Sequence, residues 1–314
     1  MELPLIPLAL ASLLGIHGIR KKSLSLSGAA TAFLVGLSVF AGHVRVFGVA
    51  CVVFYLTGSR ATKFGKQKKA KLEDGYHEAG YRSGWQVLSN AFSAVVACLL
   101  WNILFTPMSF QSRVLSRPGV RENLFDLLDA KPTEYDGDWC PIDRTIANGW
   151  SRTLVFAALG HFGCCLGDTL ASELGILSKS RPILITTLKP VPPGTNGGMS
   201  VTGTVASITG GIVIGVTMSL CLIVENARCR ESSIGIILDM VKWGAVAGGV
   251  GSLIDSFLGA TVQQTRYNVD NKKILQDESV SKGPVKVISG WNVLTNNQVN
   301  VVSSIFTSLW ICLM

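Results

Sequence analysis

The chain reads as an all-α, polytopic integral membrane protein of about seven to eight transmembrane helices, with one helix broken at a Gly-Asp motif. Three observations predict this. Of 314 residues, 48% are hydrophobic and only 15% charged, with a mean hydropathy of +0.41, whereas soluble domains carry about 25% charged residues. Such a deficit suits a hydrocarbon solvent, where one charge at mid-bilayer costs roughly 2.5–3.5 kcal/mol. Apolar segments recur along the whole length, and the 33 glycines suit close helix packing in lipid. The basic residues are also unevenly shared between alternate loops, as membrane topology demands.

The segments follow in order. The first, 3–19, is followed rather than preceded by Arg20, Lys21 and Lys22, so a retained helix is expected in place of a cleaved signal peptide. Segments 24–41 and 46–59 are short against the roughly 20 residues a bilayer core needs. Then come 84–105, 150–167, 200–224, 234–262 and an eighth, 291–314, polar at its start. With the N-terminus outside, the inner loops hold 18 of the 28 Lys and Arg and the outer loops eight. The net charge of +8 therefore reflects loop bias rather than nucleic-acid binding. A single transmembrane domain, 1–314, is expected, with 106–149 an irregular extramembrane loop broken by Pro107, Pro118, Pro132 and Pro141, and 263–290 an inner loop. No Ser/Arg-rich transit segment precedes the first apolar run, which counts against a plastid; an endomembrane, the endoplasmic reticulum, is favoured, with the plasma membrane or plastid envelope as alternatives.

The eight cysteines do not form a disulfide framework by pattern. Most lie in apolar runs, where Cys packs as a small hydrophobe; Cys140 and Cys229 fall on one side of the membrane, where pairing is the minor expectation. The four histidines, His17, His43, His77 and His161, have no metal or triad spacing and are given no catalytic role.

Four segments carry a polar stripe near their inner ends. Arg82, Gln86, Ser89, Asn90 and Ser93 share helical spacing. Gly167-Asp168-Thr169-Leu170-Ala171-Ser172-Glu173-Leu174-Gly175 closes the fifth segment. Gly248, Ser252, Asp255, Ser256 and Gly259 line the seventh; Asn296, Asn297, Asn300, Ser303 and Ser304 line the eighth. Buried ionisable residues in a membrane need compensation and mark functional candidates. Four stripes at similar depth point to one inward-facing polar cavity. The bland reading is helix capping at Asp168, a structural partner for Asp255 in Arg82 or Lys242, and interhelical hydrogen bonding by the asparagines. On an ideal helix Asp168 and Glu173 lie about 140° apart, so they would share one ion only if the chain unwound at Gly167.

Between the fifth and sixth segments, Lys189-Pro190-Val191-Pro192-Pro193-Gly194-Thr195-Asn196-Gly197-Gly198 forms a turn whose amides can face an anion just before a helix start. It lacks the Gly-Lys-Ser/Thr of a Walker loop. The Lys63, Lys66, Lys68 and Lys69 cluster suits anionic lipid headgroups at least as well as a phosphate substrate.

These motifs, with Gly80-Tyr81-Arg82-Ser83-Gly84-Trp85-Gln86-Val87-Leu88-Ser89-Asn90, Gly251-Ser252-Leu253-Ile254-Asp255-Ser256 and Asn296-Asn297-Gln298-Val299-Asn300, resemble the transmembrane protein 19 / phytyl-phosphate kinase family of integral membrane proteins over roughly residues 20–310. That resemblance implies transfer of a phosphoryl group from a nucleoside triphosphate, CTP-like by distant similarity to dolichol kinases, to a prenyl or phytyl monophosphate. It implies catalytic roles for Asp168, Glu173, Asp255 and Arg82, with the three acids as Mg²⁺ ligands. Lys189, Gly194, Thr195, Asn196, Gly197, Gly198, Asn90, Asn296, Asn297 and Asn300 would bind substrate or nucleotide. The expected partners are the bilayer, an isoprenyl phosphate and a nucleoside triphosphate, with no nucleic acid. An ion-coupled carrier or a non-catalytic membrane protein is the alternative; a carrier is expected to bind near the midplane rather than at one side.

Overall fold

The computed structural model of the chain describes residues 4–74, 81–276, 279 and 283–314. Gly80 and His77, named above, lie outside them. Helices α1 (Leu5–Arg20), α2 (Leu26–Phe40) and α3 (Val46–Lys63) come first, followed by the single turn α4 (Lys66–Lys69). Ser25 starts α2 by accepting from the Gly28 amide at 2.9 Å, satisfying one of the amides that a helix start leaves open.

The segment expected as one span at 84–105 is two helices, α5 (Gly84–Ser89) and α6 (Phe92–Phe105). Asn90 and Ala91 leave helical geometry between them, at φ −86°, ψ 8° and φ −135°, ψ −11°. The outer loop is not wholly irregular: its prolines bound two short helices, α7 (Phe110–Leu115) and α8 (Val120–Leu127). By contrast α9 (Trp150–Gly175) runs unbroken through Gly167-Asp168. The helix break expected there is therefore found at Asn90 instead. Gly167 serves packing rather than unwinding: a Cβ added to it would lie 2.7 Å from Gly248 Cα and 2.9 Å from the Ser207 carbonyl.

A two-residue antiparallel pair, β1 (Ile183–Leu184) and β2 (Gly198–Met199), leads into α10 (Val201–Glu225). The turn α11 (Ala227–Glu231) then connects to α12 (Ser233–Thr261). The inner loop is a three-stranded antiparallel sheet of β3 (Thr265–Asn268), β4 (Lys273–Leu275) and β5 (Val285–Ser289) in the order β4-β3-β5. It precedes α13 (Asn296–Ile311). The predominantly helical expectation holds, with small sheets at the inner end.

Among the described residues three helices are long and apolar enough to cross a membrane: Ile146–Gly175, α10 and α12. The apolar helices α1, α2 and α6 are shorter. The most apolar window of the first is 78% buried, against 44% in α10 and 33% in α12, so α9 is the axis and the others expose Leu220, Val224, Ile234 and Leu238 outward. Ser207, Gly211 and Gly215 of α10 meet Met240, Gly244 and Gly248 of α12 through backbone contact. Without a hydrophobic force between helices in lipid, such small-residue contact is what holds them together.

The end of the bundle carrying 106–149, the outer end by the basic-residue bias, is closed by a Cys140–Cys229 disulfide. The minor expectation of a single pairing is thus the one realised. Asn226 braces the closure, its side-chain amide donating to Tyr135 Oη at 3.0 Å and to the Gly137 and Trp139 carbonyls at 3.1 and 2.9 Å. Trp101, Phe105, Tyr135 and Trp139 stack edge to face beneath it. We expect Cys140→Ser to abolish the mobility shift on non-reducing gels and to lower stability by about 2–4 kcal/mol, measured by thermal unfolding in detergent. An unchanged unfolding curve would show that the loop is held by its aromatic packing alone.

Candidate functional site

Asp168 stands two turns from the inner end of α9, and Asp255 the same distance from the inner end of α12. Their carboxyl groups line the same cleft and face each other across it. Ser303 of α13 donates to Asp255 Oδ2 at 2.8 Å. The Asn300 amide, oriented to donate, lies 3.3 Å from the same oxygen and 3.0 Å from the Asn296 carbonyl. Asn90, at the α5–α6 break, and Cys164 and Cys165 of α9 complete the lining. The break thus brings a side-chain amide to the acids, which a continuous helix would carry past. The cleft is closed even to a water molecule, so a nucleotide and a lipid head would enter only with side-chain movement.

Among the described residues no Lys or Arg pairs with Asp168 or Asp255. Half-buried acids facing each other, without a basic partner, form a site that an incoming cation would neutralise. Mg²⁺ takes oxygen ligands, often one or two carboxylates with phosphate and water, and this pair fits that role. No group of three or more His, Cys, Asp or Glu gathers for a metal among the described residues, so a protein-only cage is not built here.

Glu173 does not join the pair. It faces the α3 side of α9 and meets Lys69 Nζ at 2.6 Å. Lys69, only 1% exposed, also donates to the Ala61 and Thr62 carbonyls at 2.9 and 3.3 Å, capping the end of α3. The sequence assigns Lys69, with its neighbours, to lipid headgroups or a phosphate; the structure instead turns it inward. Arg82 also lies on this side, donating to Ser59 Oγ at 3.1 Å with its guanidinium 5.9 Å from the Tyr55 ring. Gly58 leaves space between Arg82 and Thr169. Neither Arg82 nor Lys242 partners Asp255, and the expected cavity is in fact two clusters flanking α9.

The Gly194–Gly198 turn bridges the two. A Cβ at Gly194 would lie 3.3 Å from Glu73 Oε1, and one at Gly197 2.5 Å from Ala260 Cβ, one turn beyond Asp255. Gly194 and Gly197 have φ of +87° and +74°, which glycine adopts without cost. As an anion nest the turn is largely committed: the Thr195 amide donates to Pro192 O, that of Gly198 to Thr195 O, and that of Asn196 to Thr265 Oγ1. Lys189 is exposed on the β1 return, and its carbonyl accepts from Leu184. Asn296 and Asn297 open α13, the first exposed and the second half-buried, and neither lines the cleft. His161, fully buried one turn from Cys165 (Nε2 to Sγ 3.8 Å), has an unpartnered Nδ1. Its place on the Asp168 face, at i and i+7, was legible in the spacing.

An apolar helical bundle with a half-buried acid pair near one end defines an integral membrane protein with a single-sided polar site. The chain belongs to the DUF92 family of integral membrane proteins, whose pattern matches residues 9–308, in agreement with the resemblance read from its motifs. Protein PGR of Arabidopsis thaliana is 36% identical over 305 residues, covering 95% of this chain and 91% of that one. The uncharacterized membrane protein sll0875 of Synechocystis is 26% identical over 254 residues, 77% of this chain and 82% of its own. The uncharacterized membrane protein MJ0933 of Methanocaldococcus jannaschii is 31% identical over 176 residues, 52% and 65% respectively. No solved structure matches the chain.

Outside the helices, burial pushes the Glu73 carboxyl up from 4.5 to about 7, with the Glu173 charge adding to the rise and Lys69 opposing it. An acid raised in the folded state loses stability as pH climbs from its unfolded value to its folded one, because only the unfolded chain has released the proton. We expect the melting temperature of Glu73→Gln to gain on that of the parent between about pH 4.5 and 7 and to stay ahead above that window. Parallel melting curves for the two proteins would mean that Glu73 is solvated.

Proposed function

We propose that this chain is a lipid-phosphate kinase, transferring a phosphoryl group from a nucleoside triphosphate, CTP-like, to a prenyl or phytyl monophosphate at the inner end of the bundle. The observation that carries the reading is the pairing of Asp168 with Asp255 in one cleft, ringed by Asn90 from the α5–α6 break and by Asn300 and Ser303 from α13. Phosphoryl transfer depends on positioning and neutralisation of charge rather than covalent chemistry, and this site offers both. The motif resemblance supplies the acceptor class. In this reading the three long helices and the shorter apolar ones together make a bundle of seven to eight spans, forming one domain in an endomembrane such as the endoplasmic reticulum.

Asp168 and Asp255 would hold Mg²⁺, which when bound offsets the negative charge of the transferring phosphates. Ser303 and Asn300 keep the Asp255 carboxyl aimed at the cleft. Arg82, with one donor on Ser59 and no ion pair among the described residues, can turn its remaining donors to a phosphate as a fork. Glu173 acts through Lys69, fixing the inner end of α9 under the Gly194–Gly198 turn; it is a positioning residue. The Gly194 and Gly197 amides and Lys189 would meet the nucleotide, and Asn296 and Asn297 its exposed portion. The closed outer end favours this reading over a carrier, which must open to both sides in turn.

The test is turnover of purified protein in detergent with Mg²⁺, labelled CTP, GTP, UTP or ATP, and phytyl, geranylgeranyl or dolichyl monophosphate. Asp168→Asn and Asp255→Asn should each lower the rate by about a hundredfold or more, the scale of losing one charge-stabilising group. Glu173→Gln should cost less and should reduce thermal stability. Absence of diphosphate product with every pair, together with solute flux in liposomes, would replace the kinase with a carrier.

A further inference from the structure

A second recess lies away from the acid pair. It measures about 620 Å³ and opens at the inner end between α3, the end of α9 and the start of α10. Phe64, Leu174 and Leu177 form its apolar wall, and Ser178, Lys179 and Thr202 its polar margin. Lys68 stands beside it, its Nζ donating to the carbonyl of the lining residue Leu177 at 3.0 Å. Lys68 and Lys179 are both exposed, as is Phe64. Gly65, at φ +66°, lets the chain turn closely over Leu177. On the α9 helix Leu174 points about 120° away from Asp168, so a molecule here faces away from the acids.

We propose that this recess is a binding site for an anionic glycerophospholipid of the inner leaflet, distinct from the acid-pair site. An apolar wall under two exposed ammonium groups and hydroxyls matches a phosphate headgroup joined to an acyl chain. It stands at the end of the bundle where basic residues concentrate and where the leaflet presents such lipids. The basic segment after α3 thereby acquires a specific occupant. The bound lipid clamps Lys68 onto the end of α9, next to the Lys69–Glu173 pair, and so steadies the helix that carries Asp168. The site does not depend on the kinase reading and would exist in a carrier.

Native mass spectrometry of the full-length protein in detergent, titrated with dioleoyl phosphatidylglycerol or dioleoyl phosphatidylcholine, tests the proposal. Phosphatidylglycerol should bind about thirtyfold more tightly, each of the two lysines near anionic lipid contributing about fivefold. Lys68→Gln with Lys179→Gln should remove that preference, and Leu177→Trp, which fills the recess, should weaken both lipids while the Cys140–Cys229 disulfide still forms. Equal binding of the two lipids by the parent protein would overturn the proposal, as would a preference that survives the double substitution. Farnesyl phosphate should not displace phosphatidylglycerol at equal concentration; efficient displacement would assign the recess to a prenyl phosphate and overturn the phospholipid.

Discussion

The close approach of α9, α10 and α12 governs the rest of the structure. Gly167 lies against Gly248 and Ser207, while Gly211 touches Gly244 backbone to backbone. Only at that separation can side chains as short as Asp168 and Asp255 face each other in one cleft. Larger residues at these crossings would part the helices and leave each acid alone in an apolar setting, an arrangement a membrane penalises heavily. The glycines are therefore the means by which two charges are placed together, and α13 follows, since Ser303 and Asn300 complete the acids' hydrogen bonding.

Much of this was legible in the sequence. Apolar length identified the three long helices, and the stripe spacing on α12 and α13 brought Asp255, Asn300 and Ser303 to one face. Two features were not legible. The interruption at Asn90 has no proline or glycine to announce it; Asn90 and Ala91 both occur within ordinary helices, and tertiary contact with α9 and α13 decides there. Conversely, Gly167-Asp168 looked like a hinge because glycine is compatible with both unwinding and close packing. Its partner Gly248, 81 positions later, resolves the ambiguity, and no local pattern contains that information.

Glu173 illustrates a different limit. Sequence places it near Asp168, but helical phase turns it to the opposite flank, where Lys69 claims it. A lysine run reads as a surface for headgroups or phosphate because nothing local distinguishes Lys69 from Lys68 or Lys66. The difference comes from the end of α3, whose last carbonyls need donors and take them from the one ammonium within reach. The inner end is thus a layered cap in which basic turn, Pro-Gly turn and small sheet interlock, with Asp74 and Ile274 exchanging backbone hydrogen bonds with each other's neighbourhood.

Cys140 precedes α9 and Cys229 follows α10, so the bridge encircles two complete helices. Its two sulfurs can meet only if both helices have been threaded in opposite directions and the chain has returned to its starting side. A protein in which either helix failed to cross would strand its thiols in separate aqueous compartments. The covalent bond thereby acts as a chemical receipt for correct insertion, legible on a gel before any activity is known.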